Sequence, residues 1–116
     1  MPIVTTFKSR KSQVFKALVA ILGEDNVSVN PAVRSGYRGV NYGFMYPWGN
    51  GPEIVAMPRS VAHVQEVVKL ANKEKFNILP VCAGTITPFW EADMVMDMTG
   101  MDKILKIDTE NSFVEV

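Results

Sequence analysis

Cysteine and histidine are almost absent from this sequence, which contains one of each, Cys82 and His63. A single cysteine excludes an intrachain disulfide framework, and one cysteine with one histidine is too small a set for a structural zinc site. The charged side chains balance, with 12 basic and 12 acidic residues. Because nucleic-acid binding requires net basic charge or a basic stripe, we expect no nucleic-acid partner.

Long apolar runs are also missing. Thr5, Thr6 and Lys8 interrupt the apolar residues near Met1, so the sequence does not predict a secretory signal peptide. No apolar stretch is long enough to span a bilayer. We therefore expect no membrane span and a reducing, cytoplasmic location. The length of 116 residues is that of about one domain.

The first half of the chain predicts one helix and a long irregular segment. Apolar residues recur at helical spacing over residues 12–22, with Ser12 as the expected N-cap and Gly23 as the stop. Val27 and Val29 alternate with polar residues, which indicates a short strand. Residues 31–52 are rich in glycine and aromatic residues and are predicted to be irregular. Such aromatic residues require a ligand, a second domain or a second subunit to cover them.

The second half predicts a strand–helix–strand unit. Its parts are a strand over residues 54–57, a helix over 60–74 capped by Ser60, and a strand over 77–81. We expect parallel strands joined by a right-handed crossover. Further strands are predicted at 94–98, at 104–107 and from Phe113 onward. Because the sequence stops inside this last strand and would leave its backbone hydrogen-bonding groups exposed, we expect more structure to follow it.

A loop of small residues follows the second strand of this unit, and it is the main candidate for a binding site. Its residues are Val81, Cys82, Ala83, Gly84, Thr85, Ile86 and Thr87. Backbone N–H groups in such a loop can form a concave site for phosphate oxygens, and the threonine hydroxyls can add donors. The alternative is a tight structural turn in which Gly84 supplies a positive φ. The sequence contains neither a P-loop nor a Gly-x-Gly-x-x-Gly motif after a strand. It therefore predicts neither a P-loop nucleotide site nor a Rossmann dinucleotide site.

The remaining reactive residue types favour structural roles. His63 lacks a nucleophile pattern around it and is expected to be a solvated surface residue. Cys82 is expected to be a small packing residue, with a reactive thiol as the alternative. The aspartates at strand ends and turns are expected to accept hydrogen bonds from backbone donors. No catalytic residue is assigned.

The order of motifs in the second half resembles the FAD-binding domain of the vanillyl-alcohol oxidase and para-cresol methylhydroxylase (PCMH) superfamily. The segments that carry the resemblance are Ile54-Val55-Ala56-Met57-Pro58-Arg59-Ser60, the helix after it, Ile78-Leu79-Pro80-Val81-Cys82-Ala83-Gly84-Thr85, Met94-Val95-Met96-Asp97-Met98 and Met101-Asp102-Lys103-Ile104-Leu105-Lys106-Ile107-Asp108. In that family the loop after the second strand holds the FAD pyrophosphate and usually reads Arg-Gly-Gly-Gly-Thr-Ser. Gly84 and Thr85 keep the family residues here, whereas Cys82 and Ala83 replace glycines.

The resemblance implies an α+β fold, with this chain as the βαβ-containing first subdomain of a PCMH-type FAD-binding domain. Residues 1–52 would be a helical and aromatic lead-in, and 53–116 the first, incomplete part of the subdomain. It also implies that the loop residues Val81 to Thr87 bind the pyrophosphate and that Pro58 lies on the adenosine side. Members with covalent flavin often carry a histidine in this loop, so its absence here implies non-covalent FAD.

The function implied is that of the FAD-binding portion of a flavin-dependent oxidoreductase acting on an alcohol or a 2-hydroxy acid. The parent protein would be an FAD-linked oxidase or dehydrogenase, and this segment alone would be inactive. Its partners would be FAD and the remainder of the flavoenzyme or a partner subunit. The alternative is a non-catalytic interaction or structural module that kept the shape of a flavin domain, which the altered loop and the aromatic segment favour.

Overall fold

A computed structural model describes residues 6–37, 51–83 and 92–116 of the chain. In these ranges a four-stranded sheet carries two long helices on one face, and a separate two-stranded hairpin follows near residue 110. The fold is therefore α+β, with a mainly parallel sheet, as the sequence predicts.

The first helix, α1 (Phe7–Leu22), begins five residues before the predicted start. The prediction of Ser12 as N-cap is wrong, because Thr6 occupies that position. The extra turn is stabilised from outside the helix: Phe7 is buried, and its ring lies 5.4 Å from that of Phe76. Gly23 ends the helix as predicted, with φ of 91° and its N–H donating to Val19.

A second helix, α2 (Pro31–Ser35), lies where the sequence predicts irregular chain. The Asn30 side chain accepts a hydrogen bond from the N–H of Ala32 at 2.8 Å, and Pro31 occupies the first turn. Asparagine at the N-cap followed by proline is a strong helix start, so the prediction for residues 31–35 is wrong. Residues 38–50 of the predicted irregular segment lie outside the described ranges.

The sheet has the strand order β1, β2, β4, β3. Its strands are β1 (Val27–Ser28), β2 (Ile54–Ala56), β3 (Ile78–Val81) and β4 (Met94–Asp97). β1 pairs antiparallel with β2, whereas β4 pairs parallel with both β2 and β3. The two strands of the predicted βαβ unit are parallel, but β4 lies between them.

The helix of that unit, α3 (Val61–Glu74), has the predicted N-cap: the hydroxyl of Ser60 accepts a hydrogen bond from the N–H of His63. The main core lies between the sheet and the two long helices α1 and α3, and it includes the fully buried side chains of Leu18, Ile54, Val67 and Met94. Each such side chain contributes about 1.5–3 kcal/mol relative to an exposed one.

Glu53 connects the N-terminal helices to the start of β2. One of its carboxylate oxygens lies 3.0 Å from the ammonium of Lys11 and 3.5 Å from the guanidinium of Arg34. Arg34 also donates to the Pro52 carbonyl at 2.6 Å. Burial raises the pKa of Glu53, but the hydrogen bond and charge of Lys11 and the charge of Arg34 outweigh it, so the pKa is lowered.

A hairpin of two short strands, β5 (Lys106–Asp108) and β6 (Phe113–Glu115), forms the second sheet. Ile104 and Leu105, expected within the first of these strands, precede it. The side chain of Asp108 accepts a hydrogen bond from the N–H of Asn111, which stabilises the turn. The strand at Phe113 is paired with β5 along one edge, and its residues are exposed.

Candidate functional site

Three parallel strands end at one edge of the main sheet, and the predicted site lies at this edge. Ala56 of β2 and Pro80 of β3 both pair with Met96 of β4, and Val81 then pairs with Asp97. Strands lie about 4.8 Å apart, so the ends of β2 and β3 are about 10 Å apart across β4. In open parallel sheets, ligands bind at the carboxyl ends of the strands.

The loop after β3 begins in an exposed position. Val81 is half-buried and pairs with β4, whereas Cys82 and Ala83 are exposed. A packing role for Cys82 is therefore wrong. An approaching phosphate group requires exposed residues with small side chains, so Cys82 and Ala83 fit the predicted ligand. The other predicted loop residues, Gly84, Thr85, Ile86 and Thr87, lie outside the described residues.

Pro58, predicted on the adenosine side, lies just beyond the end of β2 and is fully buried. Gly100 packs directly against this segment: a Cβ placed there would lie 2.9 Å from Cγ of Met57 and 3.0 Å from the carbonyl oxygen of Pro58. Pro58 as a whole is therefore covered in the described part of the chain, with its carbonyl against Gly100.

The residues between Pro58 and α3 form a small hydrogen-bonded network. His63 is half-buried, and its Nδ1 accepts a hydrogen bond from the N–H of Arg59 at 3.1 Å. The guanidinium of Arg59 donates to the Asn26 side chain at 3.1 Å. His63 therefore lies at the surface as expected, but it is half-buried and its ring holds the chain at the start of α3.

Asp97 is a buried carboxylate at the same edge, with 7% of its surface exposed. One oxygen accepts hydrogen bonds from the N–H and the hydroxyl of Thr99, at 2.9 and 2.6 Å. The other accepts from the Tyr37 hydroxyl at 2.5 Å. Burial raises the pKa of Asp97, but the bonds from Thr99 and Tyr37 outweigh it and hold the pKa below its ordinary value.

The predicted role of aspartates in binding backbone donors is confirmed at three positions. Asp93 accepts from the N–H of Asn77, Asp97 from that of Thr99, and Asp108 from that of Asn111. The sequence did not indicate the contact of Asp97 with Tyr37, because 60 positions separate the two residues. The pattern Asp97-Met98-Thr99 was the one local signal for this cluster, since aspartate commonly binds the N–H two residues later.

In the described part of the chain, no group of three histidine, cysteine or acidic side chains is arranged to hold a metal ion. Among the same residues, none of the helices combines the length and the apolar character that crossing a bilayer requires.

Comparison with known families gives a match to the FAD binding domain over residues 52–116, which is more than half of the chain. A curated relative is the 4-cresol dehydrogenase [hydroxylating] flavoprotein subunit of Pseudomonas putida. It is 30% identical over 106 residues, which cover 84% of this chain and 20% of the relative. The chain thus spans about a fifth of the length of that relative.

Solved structures agree with this match. A crystal structure of p-cresol methylhydroxylase with substrate bound superimposes with a TM-score of 0.71 at 25% identity, over 87% of this chain and 21% of the other. The 4-ethylphenol oxidase from Gulosibacter chungangensis, in complex with isoeugenol, has a TM-score of 0.75 at 19% identity, over 91% and 21% of the two chains. The second similarity concerns the fold alone. The α+β architecture is therefore that of PCMH-type FAD-binding domains.

Proposed function

The chain belongs to the FAD binding domain family, and from this premise we propose that it is the FAD-binding part of a flavin-dependent oxidoreductase. The observation that carries the proposal is the exposed start of the loop after β3, at the edge where three parallel strands end. The amides of Cys82 and Ala83 would donate to the pyrophosphate. Flavin supplies the redox chemistry when bound, and this part of the protein binds and orients it.

The proposed substrate is an alcohol or a 2-hydroxy acid, with a para-alkylphenol as a second candidate. The names of the relatives favour the second, since they refer to cresol and ethylphenol. Flavin reduction by a panel of these compounds, measured on the protein that contains this chain, would distinguish them. The electrons from the reduced flavin would pass to a partner subunit or to oxygen. For the location of the protein, we propose the cytoplasm.

We propose that FAD is held non-covalently by this segment, because His63 is the chain's only histidine and it is engaged with Arg59. Acid precipitation of the FAD-loaded chain should release the flavin into the supernatant. Yellow colour that remains in the washed precipitate would contradict this.

The competing proposal is a non-catalytic module that no longer binds FAD. The side chains of Cys82 and Ala83, which replace glycines in the family pattern, favour it. The two proposals predict different colours for the purified chain. A chain that binds FAD purifies with, or takes up, a flavin that absorbs near ~450 nm. A colourless chain that does not change FAD fluorescence in a titration would favour the module.

Substitutions at Ala83 test the loop directly. Ala83→Gly should bind FAD more tightly, and Ala83→Val should bind it about tenfold more weakly, because side-chain bulk keeps the phosphate away from the amides. Equilibrium titration of FAD fluorescence measures both dissociation constants.

The matched control for this test is Ala20→Val, at an exposed position of α1. It adds the same atoms away from the proposed site and should leave FAD affinity unchanged. Equal affinities for Ala83→Gly, wild type and Ala83→Val would mean that the pyrophosphate is not bound at this loop.

A further inference from the structure

The Tyr37 side chain packs on the face of the sheet opposite the two long helices. Its ring packs with Val81 and Ala92 against the buried pair Leu79 and Val95. Its hydroxyl reaches beyond this apolar contact to the carboxylate of Asp97 at 2.5 Å. Tyr37 lies outside the segment that matches the FAD binding domain family, which begins at residue 52.

Asp97 presents an electrostatic problem for a site that binds an anion. Its Cα is paired with that of Val81, so the carboxylate is one strand, about 4.8 Å, from the chain that leads into Cys82. A negative charge at this separation lies within the distance of about 10 Å over which charges interact at moderate ionic strength. A carboxylate turned outward here would repel a diphosphate.

The three donors solve this problem by keeping both carboxylate oxygens occupied and buried. Thr99 binds Oδ1 and is two residues away in sequence, so it accompanies Asp97 in any conformation of the strand end. The Tyr37 hydroxyl is the donor to Oδ2. Loss of this hydroxyl would leave Oδ2 free to rotate toward solvent, which solvates an unpaired charge better than the protein interior does.

We propose that Tyr37 is a positioning residue for FAD binding: its hydroxyl holds the Asp97 carboxylate inward, away from the diphosphate that binds at Cys82 and Ala83. The inference rests on the proposed function, since it requires FAD at this edge of the sheet. Tyr37 itself touches no ligand in this account and acts through Asp97.

The test measures FAD binding by Tyr37→Phe in the full 116-residue chain. The substitution keeps the ring that packs on Leu79 and removes the hydroxyl. We expect the dissociation constant for FAD to increase about tenfold at low ionic strength. The reason is that repulsion between two charges several ångströms apart near a protein surface has an energy of this order. The loss should shrink in about 1 M sodium chloride, where screening reduces repulsion between charges.

A double-mutant cycle identifies Asp97 as the intermediary. In an Asp97→Asn background, where no carboxylate charge remains, Tyr37→Phe should change FAD affinity little at either salt concentration. Val14→Ala controls for general destabilisation, because Val14 is fully buried in α1 on the helical side of the sheet. This variant should unfold earlier and still bind FAD with wild-type affinity and salt dependence.

Two outcomes would overturn the inference while the proposed function stands. One is wild-type FAD affinity in Tyr37→Phe. The other is a loss that is equal at both salt concentrations or equally large in the Asp97→Asn background, because the hydroxyl would then affect FAD binding by a route other than the charge of Asp97. If the wild-type chain does not bind FAD at all, the proposed function fails and the inference falls with it.

Discussion

Among the described residues, Tyr37 has a strongly altered ionisation. Burial, the hydrogen bond to Asp97 and the negative charge of that residue raise the pKa of Tyr37 from 10.0 to about 12. Because the folded state favours the neutral hydroxyl, this group stabilises the fold fully below pH 10.0, and its contribution is lost as the pH rises to about 12.

This shift can be measured by following tyrosinate absorbance during alkaline titration. The chain has three tyrosines, and Tyr37 should contribute a component that ionises at about pH 12, above the ordinary value of 10.0. Tyr37→Phe should remove the late component, and its free energy of unfolding should fall less between about pH 10 and about pH 12 than that of the wild type. A late component that persists in Tyr37→Phe would assign the shift to another tyrosine.

Local sequence could reveal some of the site residues but not their contacts. The loop from Val81 to Thr87 stands out because small residues follow a predicted strand, and Ser60 because it precedes an apolar helical pattern. The ring packing of Tyr37 and its bond to Asp97 depend on how the sheet brings distant segments together. The exposure of Cys82 likewise depends on where β3 ends relative to β4, which residue type does not encode.

At the scale of elements, the end of α3 carries backbone strain. Lys75 has a left-handed conformation, with φ of 56° and ψ of 60°, and its N–H donates to the Ala71 carbonyl. Lys75→Gly should raise the free energy of unfolding by about 1 kcal/mol, because glycine adopts this conformation without a Cβ clash. Urea denaturation measures the change.

The control for this prediction is Lys75→Ala, which removes the same exposed side chain but keeps the Cβ. It should give no such gain in stability. Equal stability of the glycine and alanine variants would show that the left-handed conformation costs the wild type little.

The contact between Gly100 and the chain after β2 is a second constraint on the elements. In addition to Met57 and Pro58, a Cβ at Gly100 would lie 3.1 Å from Cδ of Arg59. We expect Gly100→Ala to lower the free energy of unfolding by about 1–3 kcal/mol, as overpacking does. Urea denaturation followed by circular dichroism measures it.

Gly36→Ala is the matched control, because Gly36 has φ of −64° and, among the described residues, its added Cβ would approach the Val33 carbonyl alone, at 3.3 Å. It should be tolerated with a smaller loss. If the two alanine variants were equally stable, the segment around Pro58 would have to be free to move aside.

Helix and strand positions followed the sequence where the signals were local. α3 and the strands at Ile54, Ile78 and Met94 have their apolar periodicity and caps within a few residues. The first turn of α1 depends instead on the packing of Phe7 against Phe76, far along the chain. The position of β4 between β2 and β3 could not be predicted from the sequence either, because periodicity does not specify which strands become neighbours.

At the scale of the whole molecule, the hairpin region holds most of the exposed large apolar side chains among the described residues. Six side chains of the hairpin and of the residues directly beside it are between 45% and 84% exposed: Ile104, Leu105, Ile107, Phe113, Val114 and Val116. Exposed apolar surface of this kind favours association. We therefore expect the isolated chain to form larger species as its concentration rises, which light scattering can detect.

Ile107→Lys should reduce this association, because Ile107 is the cross-strand partner of Val114 in the hairpin. Thr109→Lys adds the same charge at the exposed turn without removing apolar surface and serves as the control. A wild-type chain that stays monomeric at every concentration would argue against the prediction.

The position of β4 has a consequence for synthesis on the ribosome. β2 and β3 emerge first, but they flank a place in the sheet that only Met94–Asp97 can occupy. Until those residues leave the exit tunnel, the nascent chain presents two strand edges without their shared neighbour, and such edges are prone to mispairing. A delay between the emergence of β3 and the emergence of β4 from the tunnel would therefore prolong the interval in which a chaperone is most needed.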